Sequence, residues 1–320
     1  MSEPDPVVIP EAESAELVNR ELAYAAVKEA FLSLADGSGQ INPVVMAPGT
    51  AQGDTFSLKS GAAASAGLVG FKCGAYFVGA DSRDLPRHSS NTILLDPVSG
   101  RMQAIIGASE VNCYRTAAAN AVAARALARL EARTLTVVGA GHQAWYEIDA
   151  LCGVFGFEEI NIVSRDASRG DALVKRLQQT REGINIQRQP ADRAIPPADI
   201  LVTVTTAREP LFSAELVQPG THISAMGADQ VGKQELPVEL LSRSTLVADL
   251  PKQSQTVGEF QHIADTGLEV LLLGDILAGK AAGRCSPDDI TIFDSSGVAL
   301  QDLFVARRIL DAYREANGLA

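Results

Sequence analysis

Apolar side chains recur at two different periods along this chain, and the change of period divides it. Between Glu13 and Ala35, Leu17, Tyr24, Val27, Phe31 and Leu34 fall at helical spacing, and Gly37 ends the run. The next stretches, residues 44–47, 55–59, 67–76, 91–96 and 101–106, read as short strands. Asp96-Pro97-Val98-Ser99-Gly100 is a turn signal that makes a hairpin of the last two. One helix followed by strands with no helix between them predicts an α+β domain around an antiparallel sheet, over residues 1–114.

From Cys113 onward helices and strands alternate. The pattern predicts helices over 115–130, from the 140s to 153, up to 179, and over 300–317. Strands are expected at 135–138, 160–163, 200–204, 222–226, 246–249 and 290–293. Strands alternating with helices of this length predict βαβ units and a doubly wound parallel sheet over residues 115–298. The last helix, within 299–320, is expected to cross back onto the first domain.

Composition narrows the classes. The chain has 320 residues, enough for about two domains. With 46% hydrophobic and 21% charged residues it is not a disordered chain. A net charge of −12 repels phosphate backbones, so no nucleic-acid partner is expected, and an anionic substrate needs local cations. Cys73, Cys113, Cys152 and Cys285 form no CxxC pair, and no two histidines stand at ligand spacing, so neither a metal nor a disulfide scaffold is expected. The acidic N-terminus lacks the layout of a signal peptide, and no apolar run would span a bilayer. A soluble, cytoplasmic protein is the expectation.

Gly139-Ala140-Gly141-His142-Gln143-Ala144 follows a predicted strand and opens a predicted helix. In that context GxGxxA is a dinucleotide-binding turn. Gly139 permits the turn, Gly141 admits a pyrophosphate to the backbone at the helix N-terminus, and Ala144 keeps helix and strand close. The second strand ends at Ser164-Arg165-Asp166. A carboxylate for the ribose diol is expected near the strand end in an NAD site. Ser164 and Arg165 suit a 2′-phosphate instead, so NADP(H) is favoured over NAD(H). Asp166 is equally suited to cap the following helix.

Three blocks put charge among small and apolar residues: Lys72 in a glycine-flanked strand, Arg115 at the start of an Ala-rich helix, and Asp229 after the strand ending Ala225-Met226. Singly they read as well as a snorkelling lysine and two helix caps. Together they suit a small amino or imino acid: a guanidinium grips an α-carboxylate, a lysine neutralises or protonates it, and a carboxylate carries a proton at nitrogen. His88 reads as a solvated loop residue, His142 as a capping or packing residue, Trp145 as core or interface, and Arg307-Arg308 as helix surface.

The blocks around Lys72 and Arg115, GAGHQA at 139–144, Thr205-Thr206, Gly227-Ala228-Asp229 with Gly232-Lys233-Gln234-Glu235-Leu236, and Phe293-Asp294-Ser295-Ser296-Gly297-Val298-Ala299 resemble the ornithine cyclodeaminase/mu-crystallin family over nearly the whole chain. The resemblance implies a homodimer of a Rossmann domain joined to an α+β substrate and dimerisation domain. It further implies carboxylate binding by Lys72 and Arg115, acid/base work at Asp229, with Lys72 also catalytic, and Thr205, Met226 and Ser295 on the cofactor, with Gly297 at the substrate. Two departures stand out. The family's arginine is missing from residues 43–47, and Lys59 lies in a strand where cyclodeaminases carry an acidic residue. The Lys59 block, the run Gly232-Lys233-Gln234-Glu235-Leu236, Gln261-His262 and Leu300-Gln301-Asp302-Leu303 are most similar to the iminosuccinate reductase branch. The expected activity is NAD(P)H-dependent reduction of a small imino acid, or the reverse dehydrogenation. The alternatives are a cyclodeaminase-type lyase and a non-catalytic binding protein. If Lys59 enters the pocket, it calls for a second substrate carboxylate. Strand alternation alone leaves its face open.

Overall fold

A computed structural model describes residues 5–319; the first four residues of the acidic N-terminus and residue 320 lie outside it. The described residues form two compact units, one of residues up to 116 together with those from 298 onward, the other of residues 117–297. Among the described residues no helix is long and apolar enough to cross a membrane.

The first unit runs β1 (Val7–Ile9), α1 (Glu11–Leu17), α2 (Arg20–Ala35), β2 (Gly39–Ile41), β3 (Val45–Pro48), β4 (Thr55–Ala63), β5 (Leu68–Tyr76), β6 (His88–Leu95) and β7 (Met102–Gly107). Its sheet is ordered β1-β7-β6-β5-β4-β2, with β3 also on β4. All pairs are antiparallel except β1 on β7, so the sheet is mixed rather than antiparallel throughout. The single helix expected over 13–35 is two helices. Asn19 turns extended and its side chain accepts from Leu22 N at 2.8 Å, which ends one helix and caps the next. The helix Ala299–Asn317 belongs to this unit and packs on α2 and across β4, β5 and β6. Gly61 and Gly70 let it sit close, since a Cβ there would meet Leu300 at 3.4 Å and Leu303 at 3.1 Å.

α3 (Ser109–Leu127) crosses the division between the units. It starts six residues before the expected 115, because the Glu11 carboxylate accepts from Ser109 N at 2.8 Å and Glu110 N at 2.7 Å. That cap comes from a distant segment and leaves no local signal. Arg115 is therefore inside the helix and does not start it.

The second unit holds β8 (Thr134–Val138), α4 (His142–Cys152), β9 (Glu159–Val163), α5 (Ala167–Gln178), β10 (Asn185–Arg188), β11 (Ile200–Thr203), β12 (His222–Ala225), β13 (Thr245–Ala248), β14 (Val270–Leu272) and β15 (Thr291–Asp294). All eight strands are parallel, in the order β10-β9-β8-β11-β12-β15-β13-β14. Leu201, Ile223, Leu246, Ile292 and Phe260 pack one core of this doubly wound sheet. The winding reverses between β8 and β11, the place where such sheets open a crevice at their carboxyl ends.

Candidate functional site

In the second unit a cleft of about 1260 Å³ opens at that crevice. Gly139, Gly141, His142, Gln143, Ser164, Arg165, Thr205, Met226, Asp229 and Lys233 all line it. Gly139 has φ +127°, and a Cβ there would lie 2.6 Å from Val204 O, so only glycine makes this turn. A Cβ on Gly141 meets nothing within 4 Å, so a side chain would project into the cleft. The turn is thus bare on the side where a pyrophosphate would approach the N-terminus of α4. Ala144 is fully buried behind it and does not line the cleft. His142 is exposed and meets Tyr146 edge to face, as a packing residue does. Gln143 donates to the buried Glu147 at 2.8 Å, and Glu147 accepts from Asn120 at 2.8 Å. The arginine Arg176 lies over the Trp145 ring at 3.8 Å.

At the end of β9, Asp166 caps α5, accepting from Arg169 N at 3.2 Å. Ser164 donates to Asp166 O at 2.7 Å. Arg165 is exposed and has no side-chain partner among the described residues; Arg169 and Arg188 line the same rim, paired with Asp166 and Asp171. The rim carboxylate Asp166 is therefore spent on protein groups, and a cation, Arg165, is left facing the cleft.

Asp229 follows β12 and its carboxylate is half-exposed. Lys233 Nζ lies 2.5 Å from it and 3.1 Å from Gly227 O. Gln261 and His262 fasten that loop. Gly232 N donates to Gln261 Oε1 at 2.7 Å, and His262 Nε2 meets Lys233 O at 2.8 Å. Lys233 carried no individual role in the sequence; its place four residues after Asp229 was the available signal. Ser295 and Gly297 do not line this cleft. They are fixed at the end of β15, where Asp249 accepts from Gly297 N at 2.6 Å and Ser295 Oγ at 3.3 Å.

The first unit gathers the cations. Lys72 on β5, Arg115 on α3 and Asp302 on the C-terminal helix are all buried. Lys72 Nζ and Arg115 Nε each lie 3.0 Å from Asp302 Oδ1. Asn112 Oδ1 accepts from Lys72 and, at 2.7 Å, from Arg115, which also donates to Gln301 at 3.1 Å. The Arg115 Nε contact is an ion pair not aligned as a hydrogen bond. Arg115 Nε, Asp302 Oδ2, Gln301 Nε2 and Thr92 Oγ1 are buried without hydrogen-bond partners among the described residues. Such atoms suit a polar ligand.

Strand register settles the face of Lys59. Lys59 pairs directly with Lys72 across β4 and β5, and Lys72 with Thr92 across β5 and β6, so the three share one sheet face. Met46, on the strand without the family's arginine, lies opposite Ser57 on that face. Burial lowers the Lys72 ammonium to about 8 against the pull of Asp302, with Arg115 and Lys59 lowering it further. Burial alone would raise Asp302, but Arg115 and Lys72 outweigh it and hold the carboxyl below its usual range. Asn112, Gln301 and Asp302 were not picked out as site residues. A polar pair inside Leu300-Gln301-Asp302-Leu303-Phe304, on an otherwise apolar helix face, was the sign. His88 is exposed on β6 opposite Tyr76, on a strand and not in a loop.

The profile of the ornithine cyclodeaminase/mu-crystallin family matches residues 6–317. Iminosuccinate reductase of Paracoccus denitrificans (strain Pd 1222) is 35% identical over 316 residues, 95% of this chain and 96% of that protein. Its crystal structure in complex with NAD+ superposes with a TM-score of 0.90, covering 98% of this chain and 97% of that one. Alanine dehydrogenase of Archaeoglobus fulgidus is 34% identical over 310 residues, 95% of this chain and 94% of that protein. The structure of an archaeal alanine dehydrogenase dimer with bound NAD is 31% identical, with a TM-score of 0.91 over 98% and 97% of the two chains. The chain belongs to the ornithine cyclodeaminase/mu-crystallin family.

Proposed function

We propose that this protein is a nicotinamide-dependent oxidoreductase that reduces the C=N bond of a small imino acid to the L-amino acid, or runs the reverse, and that its preferred imine is dicarboxylic, as iminosuccinate is. The observation that carries the reading is the direct pairing of Lys59 with Lys72 beside Arg115. All three cations pull on Asp302, and Arg115 and Lys59 both lower Lys72, so positive charge is gathered on this face. A substrate carboxylate beside Arg115 and Lys72, and a second beside Lys59, are drawn to that charge.

When bound in the cleft of the second unit, the reduced nicotinamide supplies the hydride that an imine carbon accepts. The bare Gly141 turn and the N-terminus of α4 receive the pyrophosphate. Arg165, with Arg169 and Arg188 on its rim, favours a ribose 2′-phosphate, and with it NADPH over NADH. In the first unit Arg115 and Lys72 bind the α-carboxylate, held in place by Asn112, Gln301 and Asp302, and Lys59 binds the second carboxylate. Asp229, steadied by Lys233, carries the proton for the substrate nitrogen. The homodimer belongs to the same reading, supported by the dimeric archaeal relative. A reducing cytoplasm suits the four free cysteines.

The test is a scan of NADPH and NADH oxidation with oxaloacetate plus ammonia, pyruvate plus ammonia, and ornithine. Net consumption is expected, highest with oxaloacetate. Redox-neutral release of ammonia from ornithine, or binding of substrates without turnover, refutes it.

A further inference from the structure

We propose that Glu235 is a positioning residue for the dinucleotide: its carboxylate clamps together the two loops after β11 and β12 that floor the cleft. The inference rests on the reading of that cleft as a dinucleotide site. Glu235 is fully buried, and each of its oxygens accepts one backbone N–H and one hydroxyl. Oε1 takes Thr205 N at 2.6 Å and Thr205 Oγ1 at 2.7 Å. Oε2 takes Gly227 N at 2.9 Å and Thr203 Oγ1 at 2.8 Å. Its own carbonyl accepts from Leu211 N at 2.9 Å. Thr205, Gly227 and Leu211 all line the cleft, which Glu235 itself never reaches.

Burying a carboxylate here is costly, and burial does raise its proton affinity. An amide of the same shape is no substitute. The two hydroxyls can reverse their hydrogen bonds to suit an NH2 group, but a backbone N–H cannot. Whichever way a glutamine turned, Thr205 N or Gly227 N would face a donor. The approach is also too close for any other residue opposite. A Cβ on Gly227 would lie 2.3 Å from Thr205 O and 2.5 Å from Glu235 Oε1.

A neighbouring glutamate supplies the contrast. Glu259 is equally buried; its Oε1 accepts from Leu236 N at 2.7 Å, and Glu235 N is shared between Oε1 at 3.1 Å and Oε2 at 3.0 Å. Burial and the nearby Glu235 push it up to about 8, so near neutrality it is mostly a neutral acid. An amide oxygen in the place of Oε1 still accepts from both N–H groups, and neither Glu235 nor Leu236 lines the cleft.

The experiment titrates NADPH and NADH into the full-length protein, following quenching of Trp145, the sole tryptophan, with melting temperatures in parallel. Glu235→Gln is expected to raise the dinucleotide Kd at least tenfold, the loss falling on KM for the dinucleotide more than on kcat. Glu259→Gln is expected to stay within threefold of the wild type. Gly227→Ala, which forces the clamp open from the other side, is expected to weaken binding as Glu235→Gln does, and carries the test should Glu235→Gln not fold. Unchanged Kd in a folded Glu235→Gln or Gly227→Ala protein overturns the inference, as does an equal loss at Glu259→Gln. A wild type that binds neither dinucleotide fails at the cofactor reading itself and takes the clamp with it.

Discussion

Replacing Lys59 by methionine tests the substrate reading at its physical centre. Lys59 and Lys72 are paired residues of β4 and β5, a position where side chains stand about 5 Å apart at Cβ. Methionine keeps most of the lysine's bulk and removes its charge. Losing one charge-assisted hydrogen bond to the second carboxylate costs about 1.5–3 kcal/mol. At 1.36 kcal/mol per decade, that is roughly a ten- to 150-fold fall in kcat/KM for oxaloacetate with ammonia. The α-carboxylate is scarcely affected. Lys59 lowers Lys72, but with Lys72 near 8 it is already about nine-tenths protonated at pH 7, and relieving the repulsion gains almost nothing. Pyruvate with ammonia is therefore expected to keep its kcat/KM within about twofold. Both series are read from NAD(P)H absorbance at saturating cofactor. If the two substrates fall by the same factor, or neither falls, Lys59 does not select a second carboxylate and the dicarboxylic reading is wrong.

Asp229→Asn is expected to lower kcat by about 10²–10⁴ while the dinucleotide Kd from fluorescence titration stays near that of the wild type; near-normal turnover would remove Asp229 from the chemistry. Ser164→Asp with Arg165→Ala is expected to turn the ratio of kcat/KM values toward NADH, and an unchanged ratio would show that this rim does not read the ribose. Because Lys72 is lowered to about 8, calorimetric affinity for the non-reacting dicarboxylate succinate is expected to decline as pH rises through 8. The sign for stability is the reverse. Between pH 8 and 10.5 the unfolded lysine keeps its proton while the folded one has lost it, so Lys72 makes the urea midpoint rise over that window. A succinate affinity flat from pH 7 to 9.5 would exclude Lys72 from carboxylate binding.

Much of the fold was legible because it rests on short-range periodicity. The alternation of strands and helices after Cys113 reports a sheet covered on both faces, and the parallel sheet follows from it. The elements that escaped notice are the ones held by distant partners. β1, β2 and β14 are three residues each, too short to show a period, and exist because β7, β4 and β13 pair with them. The early start of α3 depends on Glu11, about a hundred residues away.

The sequence by itself determined the glycine turn, since only glycine takes φ +127° at residue 139 and only a bare residue 141 leaves the helix N-terminus open. It also marked Lys72, Arg115 and Asp229 as charges set among small residues. Which charges meet which was decided by tertiary structure alone. Asp302 reaches Lys72 across 230 residues, and Asn112 joins the same group from another helix. Lys59 had an even chance of either face until the register of β4 on β5 set it opposite Lys72. Glu235 is one carboxylate in a polar loop until β11 and β12 bring four donors around it. Local propensity acts over a few residues, whereas electrostatic and hydrogen-bond partnership depends on distance in space, which the packing of the chain creates.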